Sequence, residues 1–117
     1  MDYVLEFNQT GSSGPQLISI TRSRYYAMIN TLMWNIRGVS KAPNLRRLKN
    51  IIRTHGVQFV ALSEPKLHVS RVESIRMRLS FDYAIVNVSE DLLIFYNYPY
   101  IFGTGYSSRR WCISAEF

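Results

Sequence analysis

The sequence predicts a mixed α/β layered fold. Three observations predict it: two amphipathic helical stretches, several β-prone runs between and after them, and an apolar content of 47%, enough for a packed core. At 117 residues the chain is one small domain or a piece of a larger one.

Residues 1–27 read as a flexible N-terminal tail, because Asn8 to Gln16 is polar, rich in Gly and Ser, and without periodicity. The ordered domain is expected over 28–117, with Met28 a possible alternative start. Ile29 to Ile36 is an apolar, β-prone stretch that ends at the turn residues Arg37-Gly38. Pro43 to Gly56 reads as a helix. Leu45, Leu48 and Ile52 recur at i, i+3, i+7, Arg46, Lys49 and Arg53 repeat that spacing on another face, and Gly56 supplies the stop. Val57 to Ser63 is apolar almost throughout, as a strand covered on both faces must be.

Ser70-Arg71-Val72-Glu73 has the capping-box pattern and opens a second helix, with Val72, Ile75 and Leu79 facing inward. Phe81 to Val88 and Leu92 to Tyr96 read as strands joined by Ser89-Glu90-Asp91, and Trp111 to Phe117 as a last strand. The predicted order is β-α-β-α-β-β-β.

Composition narrows the function. The single Cys112 excludes an internal disulfide framework and a cysteine zinc cluster, and reads as a small buried apolar side chain. No apolar run approaches a membrane span, and Met1 to Phe7 lacks the features of a secretory signal, so an intracellular location, nucleus or cytoplasm, is expected. The net charge is +6, but it is uneven: residues 36–80 carry ten Lys and Arg against Glu64 and Glu73, a local excess of eight. Such an excess suits a polyanion, with DNA the expected partner; a solvated basic helix face accounts for it equally well.

Two segments stand out at strand ends, Met33-Trp34-Asn35-Ile36-Arg37-Gly38 and Val60-Ala61-Leu62-Ser63-Glu64-Pro65-Lys66. Polar residues at strand ends of an α/β sheet converge on one rim, so Asn35 and Glu64 can meet there. A carboxylate there can hold a hard cation and an amide can bond a phosphate oxygen, with Arg37, Lys41 and Lys66 as candidate nucleic-acid contacts. The plain alternatives are that Asn35 turns the chain and that Glu64 pairs with Lys66 or Arg37. His55 and His68 read as surface residues. Gly103-Thr104-Gly105 lacks the Lys and the helix of a phosphate loop.

In order and around a basic helix, these segments resemble the opening of the endonuclease/exonuclease/phosphatase superfamily. They are most similar to the endonuclease domains at the front of plant LINE-type retrotransposon polyproteins. The resemblance runs over about Ile29 to Phe117 and is strongest from Met33 to Lys66. It implies half of an α/β layered sandwich, a phosphate-orienting, catalytic role for Asn35, and Glu64 as a ligand to Mg2+. Ser63 and Pro65 depart from the residues usual beside that carboxylate. The family's catalytic Tyr, its paired Asp and Asn, and its closing Asp-His have no match in this sequence.

The resemblance therefore implies a truncated metal-dependent phosphodiesterase domain, inactive alone, with one face of its sheet uncovered. The alternatives are a basic nucleic-acid-binding module without catalytic ancestry and a non-functional retroelement remnant.

Overall fold

The run of five apolar and small residues Phe59–Ser63 becomes the central strand of the larger sheet in the computed structural model. Backbone is described for residues 2–8, 14–22, 27–87, 91–97, 101–107 and 110–116, and side chains for 14–19, 30–87 and 91–97. In chain order the elements are strands β1 (Asp2–Asn8), β2 (Gln16–Arg22) and β3 (Ala27–Asn35), helix α1 (Ala42–His55), strand β4 (Phe59–Ser63), a short 3-10 turn (Val69–Arg71), helix α2 (Val72–Leu79), and strands β5 (Tyr83–Val86), β6 (Leu92–Tyr96), β7 (Ile101–Ser107) and β8 (Arg110–Glu116).

These strands form a five-stranded sheet in the order β2-β3-β4-β6-β5 and a three-stranded sheet in the order β1-β8-β7. In the larger sheet β3 and β4 are parallel, with α1 in the crossover between them, and every other pair is antiparallel. The mixed α/β class is thus as predicted.

Both helices pack on one face of the larger sheet. Leu32 and Trp34 of β3, Val60 and Leu62 of β4, and Leu93 and Phe95 of β6 meet Leu48 of α1 and Val72, Ile75 and Leu79 of α2. Leu48 is completely buried while Arg46, Lys49 and Arg53 are exposed, so the helix face is the one predicted. The end of α1 is also as predicted. Gly56 takes a left-handed φ of 58°, and its N–H bonds the carbonyl of Ile52, which Val57 also reaches. Phe81 stacks on Phe95, and Tyr83 stacks on its cross-strand partner Tyr96.

Four expectations need correction. The tail expected over 1–27 instead contains β1 and β2; the β-prone run Leu17 to Thr21 pairs with β3 as the edge of the larger sheet, despite its polar approach. The predicted order has no strand between Tyr96 and Trp111, yet Ile101–Ser107 forms strand β7, paired with β8. The capping box does not form. Ser70 donates its N–H to Nδ1 of His68, the first residue of α2 follows Arg71 with no side-chain cap, and Glu73 turns to Arg76. The fourth concerns the second face of the larger sheet, expected to be uncovered. Met33, Phe59, Ala61, Leu92 and Ile94 on that face are all 2% exposed or less, although both helices lie on the other side.

The linker core 9–13, Tyr25, Tyr26, Ser89, Glu90 and the side chains of Trp111 and Cys112 lie outside the described residues. Among the described residues no helix is long and apolar enough to cross a membrane.

Candidate functional site at the ends of β3 and β4

Parallel pairing brings the two singled-out segments side by side. Asn35 and Ser63 are register partners at the last positions of β3 and β4, and Glu64 follows directly. Hydrogen bonding continues past the strands. Ile36 N–H donates to the Ser63 carbonyl at 3.1 Å, Gly38 N–H to the Glu64 carbonyl at 3.0 Å and Val39 N–H to the Pro65 carbonyl at 2.9 Å. The two loops after the strands are therefore joined to each other before either chain turns away.

A third loop adds to this rim, because Glu64 N–H donates to the Asp91 carbonyl at 3.0 Å. Asn87 shapes that loop by accepting from the N–H groups of Asp91 and Leu92 on its Oδ1. On the other side, Asn44 of α1 donates from Nδ2 to the carbonyls of Ile36 and Gly38, at 3.1 and 2.9 Å. The turn at Arg37-Gly38 is thereby pinned to the first turn of the helix. Gly38 has φ 115°, and a Cβ there would come within 3.0 Å of the Lys41 side chain, so this position requires glycine.

The rim concentrates unusual backbone. Among the described non-glycine residues, positive φ occurs at Arg37 (53°), Glu64 (50°), Lys66 (48°) and Ser80 (61°). Three of the four are residues singled out from the sequence. Left-handed backbone costs a non-glycine residue about 1–2 kcal/mol, and it persists where surrounding bonds over-determine it. At Glu64 those bonds are the ones from Gly38 and to Asp91, which hold the main chain from both sides.

Side chains divide into a buried and an exposed set. Asn35 is 8% exposed and Ser63 fully buried, and both Asn35 Oδ1 and Ser63 Oγ lack a hydrogen-bond partner. Thr31 Oγ1, on the same sheet face, is the other such oxygen among the described residues. Buried polar atoms are nearly always bonded, so three unsatisfied oxygens on one face of two adjacent strands are an unusual local concentration. Glu64, Arg37, Lys41 and Lys66 are exposed. Arg37 Nε lies 3.6 Å from Glu64 Oε2, so the plain alternative of a surface ion pair is realised with Arg37. Asn35 and Glu64 share the rim, and no hydrogen bond joins their side chains.

The candidate oxygen ligands at this rim are the exposed Glu64 carboxylate and the buried Asn35 Oδ1. Both are hard oxygen ligands of the kind Mg2+ prefers. Among the described residues no three His, Cys, Asp or Glu side chains converge to form a fuller set. Lys41 precedes α1 with no acidic residue in the helix's first turn, so the positive end of this helix carries a further positive charge and no compensation. Neither histidine joins the site: His55 ends α1, its carbonyl accepting from Asn30 Nδ2 at 2.8 Å, and His68 Nδ1 is engaged by Ser70.

Sequence reasoning missed Asn44, Ser63 as a buried orphan, and Asp91. Only Asn44 had a signal, its position one residue after the proline that opens the helix. Comparison with protein-family models, with curated proteins and with solved structures finds no match to this chain.

Proposed function

We propose that the chain handles nucleic-acid phosphodiesters at the joined ends of β3 and β4, as an endonuclease-like phosphodiesterase domain related to LINE retrotransposon endonucleases. One observation carries this reading: Asn35 and Glu64 stand at the ends of adjacent parallel strands, with Asn35 Oδ1 buried and unbonded. The three left-handed residues Arg37, Glu64 and Lys66 at the same rim support it.

In this proposal Glu64 would hold Mg2+ through its carboxylate, Asn35 would orient a phosphate, and Arg37, Lys41 and Lys66 would attract it. Bound magnesium stabilises negative charge on a phosphate oxygen. An ion held by so few protein ligands keeps most of its waters and binds weakly. His55 stands at the far end of α1 and His68 Nδ1 is engaged by Ser70, so no described histidine is poised at the rim to activate a water, and binding without cleavage is the expected behaviour. The competing reading, a basic module in which Asn35 and Glu64 are incidental, draws on the charge excess alone.

Calorimetric titration of the full chain with Mg2+ separates the two. Weak binding that disappears in Glu64→Ala is expected, together with intact supercoiled plasmid after incubation with Mg2+. Equal magnesium binding by both proteins would overturn the site. Nicking that survives purification and is lost in Glu64→Ala would overturn the non-cleaving part of the proposal.

A further inference from the structure

The helical layer carries a second basic feature, away from the β3–β4 rim. Between α1 and the end of α2 lie two hollows of about 210 and 300 Å³ that share Lys49 and Arg78 and so form one groove. Arg46, Lys49 and Arg53 line it from α1 and Arg78 from α2, all four exposed. Its floor is apolar, made by Leu45, Ile52 and Leu79, and none of its lining residues is acidic.

Among the described residues the ion pairs are Arg37 with Glu64 and Arg76 with Glu73, and neither involves the groove. Arg47, the remaining cation of that turn of α1, faces away and lies over the Trp34 ring at 5.4 Å. Four like charges held along one groove repel each other, and the arrangement is relieved when a polyanion enters.

We infer that the groove between α1 and α2 binds the phosphate backbone of a nucleic acid, at a surface distinct from the β3–β4 rim and independent of the magnesium reading. Spacing favours this occupant. Arg46, Lys49 and Arg53 span seven positions of helix, about 10 Å at 1.5 Å per residue. Successive phosphates of one DNA strand lie farther apart in space than their axial rise of about 3.4 Å, and that span can reach two of them. The groove holds no aromatic side chain, the anchor that protein interfaces favour, whereas long basic side chains over a shallow floor suit backbone contact without base readout.

The test is fluorescence anisotropy of a short labelled DNA duplex over a salt series without added Mg2+, with the wild-type chain, Arg71→Gln as the control, and a groove variant carrying Arg46→Gln, Lys49→Gln, Arg53→Gln and Arg78→Gln. Each phosphate contact contributes about 0.9 to the slope of log K against log salt, so the groove variant should lose about 3 to 4 from that slope. Arg71→Gln, which removes an exposed cation outside both the groove and the rim, should keep the slope of the wild type.

A groove variant with unchanged affinity and slope would overturn the inference, as would a wild-type chain that fails to bind the duplex at low salt. Polyglutamate that competes with the duplex at equal charge, and loses binding in the groove variant, would assign the groove to an acidic protein and also overturn it. If circular dichroism shows the fourfold variant unfolded, the pair Arg53→Gln and Arg78→Gln gives the same reading, with an expected loss of about 2.

Discussion

Asn35 and Ser63 face the same side of the sheet as register partners of parallel β3 and β4, and each buries a side-chain oxygen that no hydrogen bond satisfies. Thr31, on β3 four residues before Asn35, buries a third. Leaving such a group unpaired costs roughly 1–3 kcal/mol, so these oxygens lower the stability of the strands that carry the rim.

Removing the orphaned hydroxyls without changing shape should therefore stabilise the chain. Thr31→Val and Ser63→Ala are each expected to raise the free energy of unfolding in urea by about 1 kcal/mol. A loss of stability in both would show that these hydroxyls are satisfied in solution.

The helix face gives a second contrast. Leu48 is fully buried between α1 and the sheet, so Leu48→Ala should cost about 2–5 kcal/mol. Arg46 is exposed, and Arg46→Ala should fall within about 0.5 kcal/mol of the wild type. Comparable losses from the two substitutions would put the helix on the sheet by a different face.

Backbone strain at the rim is measurable at Lys66, whose φ is 48°. Lys66→Gly should be more stable than Lys66→Ala by about 1 kcal/mol, because only glycine adopts this conformation freely. The reverse order in thermal or urea unfolding would mean that the left-handed turn is not populated.

Acid sensitivity should arise at the start of α2. Hydrogen bonds from Arg76 hold the Glu73 carboxyl below its ordinary range, with a smaller contribution from the Arg76 charge. The folded chain thus binds this proton less readily than the unfolded chain. The pair's stabilisation is complete above the ordinary carboxylate value of about 4.3 and is lost as pH falls through the lowered one. The stability gap between wild type and Glu73→Gln should narrow over that acid range, and a constant gap would dismiss the ion pair as its source.

Arg76 explains why the capping pattern misled. A Ser-x-x-Glu spacing marks a cap only if the glutamate has no better partner, and Arg76, three residues on, binds Glu73 through both Nε and Nη2. Its Nη1 also donates to the Phe81 carbonyl at 2.7 Å, so one side chain ties the helix to the next turn. Strongly periodic elements were legible: Leu48 and Arg46 fell on opposite faces of α1, and β4 followed from an unbroken apolar run. Edge strand β2 was not, because half-exposed Leu17 and Ile18 beside a Gly/Ser stretch carry little burial pattern.

At the rim the sequence showed which residue types were present but not how they were held. That Asn35 and Glu64 sit at neighbouring strand ends followed from their position after two β-prone runs. The roles of Asn44 and Asp91 rest on contacts between loops distant in sequence, which no local spacing encodes.

The pairing of β4 has a kinetic consequence. Phe59 pairs with Thr31 on one side and Tyr96 on the other, whereas β2 meets β3 across a gap as short as Arg22 to Ala27. Closing a long loop is entropically dearer than closing a short hairpin, so β2–β3 and β5–β6 are set to form early and β4 to dock between them late. Once docked, the strand has neighbours on both sides, and its amides can exchange with solvent only when one of those ladders opens. In hydrogen exchange, β4 should be the slowest segment of the sheet and edge strand β2 among the fastest, so the residues leading to Glu64 stand on the most slowly opening part of the chain.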